Sequence, residues 1–218
     1  MKDIYSIKCE EILKDLEEKK RLLLHSCCGP CSSYVITYLT NYFDITILYY
    51  NPNIYPYEEY LKRKEEQIKV INELNKITEN KISIMDCDYD NNIYEKEIKG
   101  LEKEPERGKR CEVCYKTRME KTAKEAKNNN YDYFCTTLSV SPYKNALLIN
   151  DIGKKLEKKH SIKWLYSDFK KKDGYKKSII LSEKYNLYRQ NYCGCIYSKK
   201  ISSQILGNDN SNCNNDRS

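Results

Sequence analysis

Apolar positions along this chain fall into short aliphatic or β-branched runs separated by longer segments of helical period. Residues 4–20 carry Ile4, Ile7, Leu13 and Leu16 at helical spacing among many Glu and Lys, which predicts an amphipathic leading helix. The apolar run Leu22 to Leu24 is too brief for a helix and predicts a strand over 22–26, followed by a helix over 30–41. Asp44 to Tyr50, β-branched and aromatic, is the second predicted strand, and the two prolines of Asn51–Pro56 mark a loop. A long helix is predicted from Tyr57 to Thr78, with Leu61, Ile68, Ile71 and Leu74 on one face, and a short strand from Lys81 to Asp86. Residues 87–110 show no clear period. Helices are predicted from Cys111 to Lys127, Ala146 to Lys159 and Gly174 to Tyr185, with strands Tyr131–Thr137 and Ile162–Tyr166 between them.

Strands alternating with helices predict an α/β fold, a parallel sheet flanked by helices. Short crossovers then bring the strand C-termini to one edge, where the turns at 27–31, 51–56 and 138–144 should crowd together. At 218 residues the chain suits one domain, residues 1–202. The Asn-, Ser- and Asp-rich stretch 203–218 cannot bury enough surface to stay ordered. Residues 1–20 are charged throughout, unlike a signal peptide, and no apolar run approaches a membrane span; a cytoplasmic location is expected. The net charge of +7 allows a nucleic-acid partner without requiring one. Eleven cysteines in a reducing compartment point to metal or redox chemistry and away from a disulfide scaffold.

Those cysteines concentrate at three places. In Leu24-His-Ser-Cys-Cys-Gly-Pro-Cys-Ser-Ser33 a strand breaks at Gly29 and a helix opens at Pro30. Cys27, Cys28 and Cys31 occupy the turn where a phosphate site would place glycines and a hydroxyl. Thiols near a helix N-terminus ionise readily, and the thiolate is the form that binds metals. The second place is Arg110-Cys-Glu-Val-Cys114, a Cys-x-x-Cys pair at a helix start. With Cys27 and Cys28 it makes four thiolates from two segments, which satisfies a structural zinc or a four-iron cluster. Two adjacent thiolates suit neighbouring irons better than one tetrahedral zinc.

The third is Cys193-Gly-Cys195. Two residues of extended chain span at most about 7 Å, near the limit for a disulfide, so a bridge there would be strained and easily reduced. Gly194 lets the backbone bend as such a bridge needs, and the pair reads as a two-electron dithiol couple or a second pair of metal ligands. Tyr143 and Lys144 follow a predicted strand and are candidates to face the site. Lys170, Lys171 and Arg189, interleaved with aromatic residues, are candidates for phosphate contact. His25 reads as a strand end and His160 as a helix terminus.

With these segments in place the sequence resembles the QueH-type epoxyqueuosine reductases. The likeness rests on Leu23–Ser32, Tyr50–Ile54, Arg110–Tyr115, Thr137–Asn145, Tyr166–Lys171 and Tyr188–Cys195, in family order. The resemblance implies a fold related to the PP-loop and adenine-nucleotide α-hydrolase superfamily. It implies reduction of the epoxide of epoxyqueuosine in a tRNA anticodon, the last step of queuosine synthesis, with an electron donor that the sequence does not identify. Position by position, it implies 4Fe-4S ligands at Cys27, Cys28, Cys111 and Cys114 and a redox-active disulfide at Cys193 and Cys195. It also implies a second, mononuclear metal (iron or zinc), for which Cys31 is the candidate ligand. Two other readings compete. A PP-loop ATP-dependent tRNA-modifying enzyme would need a Ser-Gly-Gly type phosphate loop, where Cys27-Cys-Gly-Pro30 stands instead. A zinc-containing RNA-binding module would leave Cys193-Gly-Cys195 without a purpose.

Overall fold

The computed structural model describes residues 3–79 and 81–200, so the tail expected to be disordered lies outside the described residues. Five strands, β1 (Lys20–His25), β2 (Phe43–Tyr49), β3 (Ser83–Asp86), β4 (Tyr133–Thr136) and β5 (Lys163–Trp164), pair in the order β3-β2-β1-β4-β5. Every pairing is parallel. That order reverses direction between β1 and β4, and an open parallel sheet forms its ligand crevice at the strand C-termini beside such a reversal.

The helices are α1 (Ile4–Lys14), α2 (Gly29–Leu39), α3 (Tyr57–Leu74), α4 (Asn91–Glu97), α5 (Lys109–Asn128), α6 (Ala146–His160) and α7 (Gly174–Lys184). Helix α2 packs against α3 and α7, while α5 packs against α6. Between these layers the central strands read as near-continuous apolar runs: Leu22, Leu23, Leu24, Ile47, Leu48 and Phe134 are fully buried.

Several boundaries and faces differ from the sequence expectations. Helix α1 ends at Lys14 because β1 begins earlier than predicted, with Lys20 already paired to Phe43. Its buried residues are Ser6, Cys9 and Leu13, while Ile4 and Ile7 are exposed. In α3 the inward face is Tyr60, Arg63, Gln67, Val70, Ile71 and Leu74; Leu61 and Ile68 lie on the exposed side. The face is rotated because Arg63 and Gln67 find polar partners inside, as described below. Helix α4 falls in the stretch without clear period: it has seven residues, capped by the Asp90 carboxylate accepting from the Asn92 N–H at 2.9 Å. Strand β4 closes into a 3-10 turn at Thr137–Val140, and β5 is two residues long.

Candidate active site

The turn after β1 is assembled by contacts from three directions. His25 is fully buried, its Nε2 donating to the Tyr50 carbonyl at 3.2 Å and its Nδ1 accepting from Thr136 Oγ1 at 2.8 Å. Burial, with Arg118 adding to it, pushes its pKa down to about 3, so the ring is neutral and ties together the ends of β1, β2 and β4. Gln67 reaches in from α3, its Oε1 accepting from Ser26 Oγ at 2.6 Å and Ser32 Oγ at 2.8 Å. Asn51 Nδ2 donates to the Ser26 carbonyl at 2.8 Å. A Cβ on Gly29 would stand 2.5 Å from the Glu66 carbonyl oxygen, so glycine is what lets α2 start this close to α3.

Held this way, the sulfurs of Cys27, Cys28 and Cys31 lie within 4.8 Å of one another. The Cys27 and Cys28 sulfurs are 3.8 Å apart, and Gln190 Nε2 donates to Cys28 Sγ at 3.1 Å. Their acidities diverge. Hydrogen bonds from Cys28 and then Cys31, aided by Lys144 and Arg118, hold Cys27 well below the ordinary thiol range. The bond to Cys27 raises Cys28, to about 11, and bonds to Cys27 and Cys28 raise Cys31 well above the ordinary range. Cys27 is the most acidic thiol of the three.

A cavity of about 430 Å³ opens over these thiols. Cys27, Cys31, Cys111, Tyr115, Lys144 and Cys193 line its interior, and Arg107, Tyr143, Tyr175 and Arg189 also contribute to its wall. Cys111 sits at the start of α5 and accepts the Arg107 N–H at 3.3 Å. Cys114, one turn on, is buried with Tyr94, Ile98 and Cys195, and burial pushes its thiol up to about 12. The thiols therefore form a closed triple at Cys27, Cys28 and Cys31 and a second gathering at Cys111, Cys114, Cys193 and Cys195. Cys31, expected at a separate metal, stands in the same triple as Cys27 and Cys28. All ten cysteines among the described residues are free thiols.

Two cations answer this concentration of sulfur. Arg118 is 2% exposed, donates Nε to the Cys114 carbonyl at 3.1 Å, and leaves Nη2 without a protein partner. Burial opposes its charge, but Cys114, Cys193 and Cys27 together outweigh burial and keep it protonated. Lys144, on the turn after β4, is opposed by burial in the same way and held as ammonium by Cys193, Cys27 and Cys31.

The sequence itself supplies the deciding comparison. The family profile described as epoxyqueuosine reductase QueH matches residues 22–201. The chain is 44% identical over 180 residues to the epoxyqueuosine reductase QueH of Streptococcus pyogenes serotype M1, covering 83% of this chain and 71% of that one. This chain belongs to the QueH family of epoxyqueuosine reductases. The Staphylococcus epidermidis member is 43% identical over 183 residues, covering 83% of this chain and 77% of that one. The Thermotoga maritima member is 36% identical over 180 residues, covering 81% and 89%. The chain is accordingly an oxidoreductase of queuosine synthesis.

Within this reductase the three cysteine segments of the sequence meet at one cavity, with Lys144 and Tyr143 beside them. Tyr143 stands at the mouth, 62% exposed, with the Arg107 guanidinium 5.5 Å from its ring centre. Arg189 also lines the cavity, but Lys170 and Lys171 do not: they are paired at 2.6 Å with Asp168 and Asp3. His160 ends α6, as expected, and bonds Glu120 at 2.7 Å. Sequence reasoning missed Arg63, Gln67 and Arg118. Each was signalled by one pattern, a long polar side chain at helical spacing on an otherwise apolar face. No helix among the described residues is long and apolar enough to cross a membrane.

Proposed function

We propose that this reductase acts on epoxyqueuosine within a tRNA and that the cavity holds a 4Fe-4S cluster beside the Cys193/Cys195 dithiol. One observation carries the reading: thiols from three distant segments line a single cavity together with the Lys144 ammonium. The donor set suits an iron–sulfur group. Its sulfurs are soft, three already lie within 4.8 Å, Gln190 donates to one of them, and Arg118 offers a buried, unspent N–H and a compensating charge. Cys27, Cys28, Cys111 and Cys114 would hold the cluster. Cys31 would hold a neighbouring metal or take the place of one of the four. When bound, such a group supplies one-electron transfer and Lewis acidity.

The chain's own residues account for the rest. Removing the epoxide oxygen as water requires two electrons and two protons, and oxidation of Cys193 and Cys195 to a disulfide releases two of each. The net reaction is dithiol plus epoxide giving disulfide, alkene and water. Lys144 Nζ would donate a hydrogen bond to the epoxide oxygen and stabilise charge on it as the C–O bond opens. An external carrier, either a low-potential one-electron protein or a dithiol, returns the pair to its reduced form.

Anaerobic purification tests the cluster directly. Brown protein with a broad band near roughly 400 nm is expected, from general iron–sulfur behaviour. Single Ala variants at Cys27, Cys28, Cys31, Cys111 and Cys114 should lose iron and sulfide in proportion to their part in the site. Colourless zinc protein, or full iron in every variant, would overturn the assignment.

A further inference from the structure

Arg63 is a guanidinium with its side chain 1% exposed, on a helix that contributes no thiol to the site. An isolated cation buried this deeply is costly, and Arg63 meets that cost with a partner at each of its three nitrogens. Its Nε donates to Glu59 Oε1 at 2.6 Å, one turn earlier on α3. Its Nη1 donates to the Cys193 carbonyl at 3.0 Å and its Nη2 to the Tyr192 carbonyl at 3.3 Å. The guanidinium also lies 5.0 Å from the centre of the Tyr192 ring. A planar fork that grips two successive carbonyls defines the direction of the backbone as well as its distance.

Two further polar groups of that backbone are held too. The Gly194 carbonyl accepts the Tyr55 N–H at 2.8 Å, and the Cys193 N–H donates to Ser198 Oγ at 2.9 Å. Gly194 has φ +130°, a conformation other residues avoid, and a Cβ there would be 3.0 Å from Arg63 Nη1. Glycine at this position therefore serves the close approach of the backbone to Arg63 as well as the bend. Arg63 points toward the bend that carries both thiols, leaving Cys193 on the cavity wall and Cys195 buried.

We infer that Arg63, fixed by Glu59, is the positioning residue of the Cys193/Cys195 pair, presenting Cys193 to the cavity and setting how readily the pair closes and reopens. The inference rests on the redox reading of that pair proposed above. Arg63 touches neither thiol in the reduced form, so it acts through the backbone. Lysine keeps the charge but loses the fork, whereas Glu59→Gln keeps the fork but loses its anchor.

The test is the thiol–disulfide equilibrium of Cys193 and Cys195 in defined dithiothreitol buffers, read by mass-resolved alkylation. The alkylation rate of Cys193 in the reduced protein is read alongside it, using full-length protein. Arg63→Lys should shift the equilibrium constant by roughly tenfold or more, the scale of one lost charge-assisted hydrogen bond. Glu59→Gln should shift it in the same direction by less. The balance of Cys193 over Cys195 labelling should fall in both, while iron content changes little in Glu59→Gln, whose melting temperature falls because Arg63 loses its carboxylate partner. Wild-type equilibrium constants and labelling in both variants would overturn the inference. If Arg63→Lys does not fold, Glu59→Gln decides alone. If the wild-type pair does not oxidise during a single turnover, the dithiol reading has failed and the inference falls with it. If wild type oxidises normally and the variants match it, only the role of Arg63 is refuted.

Discussion

Cys193 and Cys195 are two residues apart yet occupy different surroundings. Cys193 lines the cavity, whereas Cys195 is buried beside Tyr94 and Cys114 and accepts the Ser198 N–H at 3.5 Å. Burial raises the Cys195 thiol, and burial likewise raises Cys135 to about 12 and Cys9 further still. Alkylation of the native reduced protein at mildly alkaline pH should therefore reach Cys193 before Cys195, and Cys9 and Cys135 only after unfolding. Peptide mapping over time checks this order. A bridge across one residue closes almost no loop, so it restrains little unfolded-chain entropy and stabilises poorly. Cys193→Ser/Cys195→Ser should accordingly fold, keep its iron and bind tRNA, yet fail repeated turnover. Full multiple turnover would make the pair dispensable, and loss of iron would make the two residues ligands.

At the scale of elements, the site depends on how closely α2 and α3 approach. Gly29 opens α2 against the backbone of α3, and Gln67 of α3 fastens Ser26 and Ser32 on either side of the thiols. Gly29→Ala must push the two helices apart. A cost of about 1–3 kcal/mol is expected for overpacking of this kind, seen as a melting temperature lowered by about 2–4 °C per kcal/mol in a chain of this size. Iron retention should fall with it, because the displaced turn carries Cys27, Cys28 and Cys31. An unchanged melting temperature and iron content would show that the turn relaxes freely. The element least legible in the sequence was α4, too short to display a period, and it is held by Tyr94 packing against Cys114 and Cys195.

At the scale of the whole molecule, the cavity lies beyond the C-terminal ends of β1 and β4, lined by residues of the turns that follow them. Arg107 and Arg189 line it, exposed and without an ion pair among the described residues, each facing a tyrosine ring, Tyr143 and Tyr175 respectively. Guanidinium beside an aromatic face suits a phosphate next to an unstacked base. Replacing either arginine by alanine should weaken tRNA binding and reduce the log–log salt dependence by about 0.7–0.9 per lost contact. Lys170→Ala and Lys171→Ala, which break existing ion pairs away from the cavity, should leave that slope unchanged. Binding titrations across a salt series separate the two sets, and an unchanged slope in the arginine variants would place the tRNA elsewhere.

The order of strands and helices, the Gly-Pro helix start behind two thiols and the tight Cys193-Gly-Cys195 spacing follow from local propensity and short-range geometry. Sequence alone therefore determined the fold class, the thiol inventory and the place where a ligand crevice would form. Which thiols meet was decided only by tertiary structure. Whether Cys114 packs on Cys195, and Cys111 and Cys193 reach the cavity of Cys27 and Cys31, depends on packing between segments far apart in sequence. The same holds for α3, where a hydrophobic stripe through Leu61 and Ile68 would have turned Arg63 and Gln67 to solvent. Their burial is favourable only because partners far away in sequence, Ser26, Ser32, Tyr192 and Cys193, offer groups that replace water.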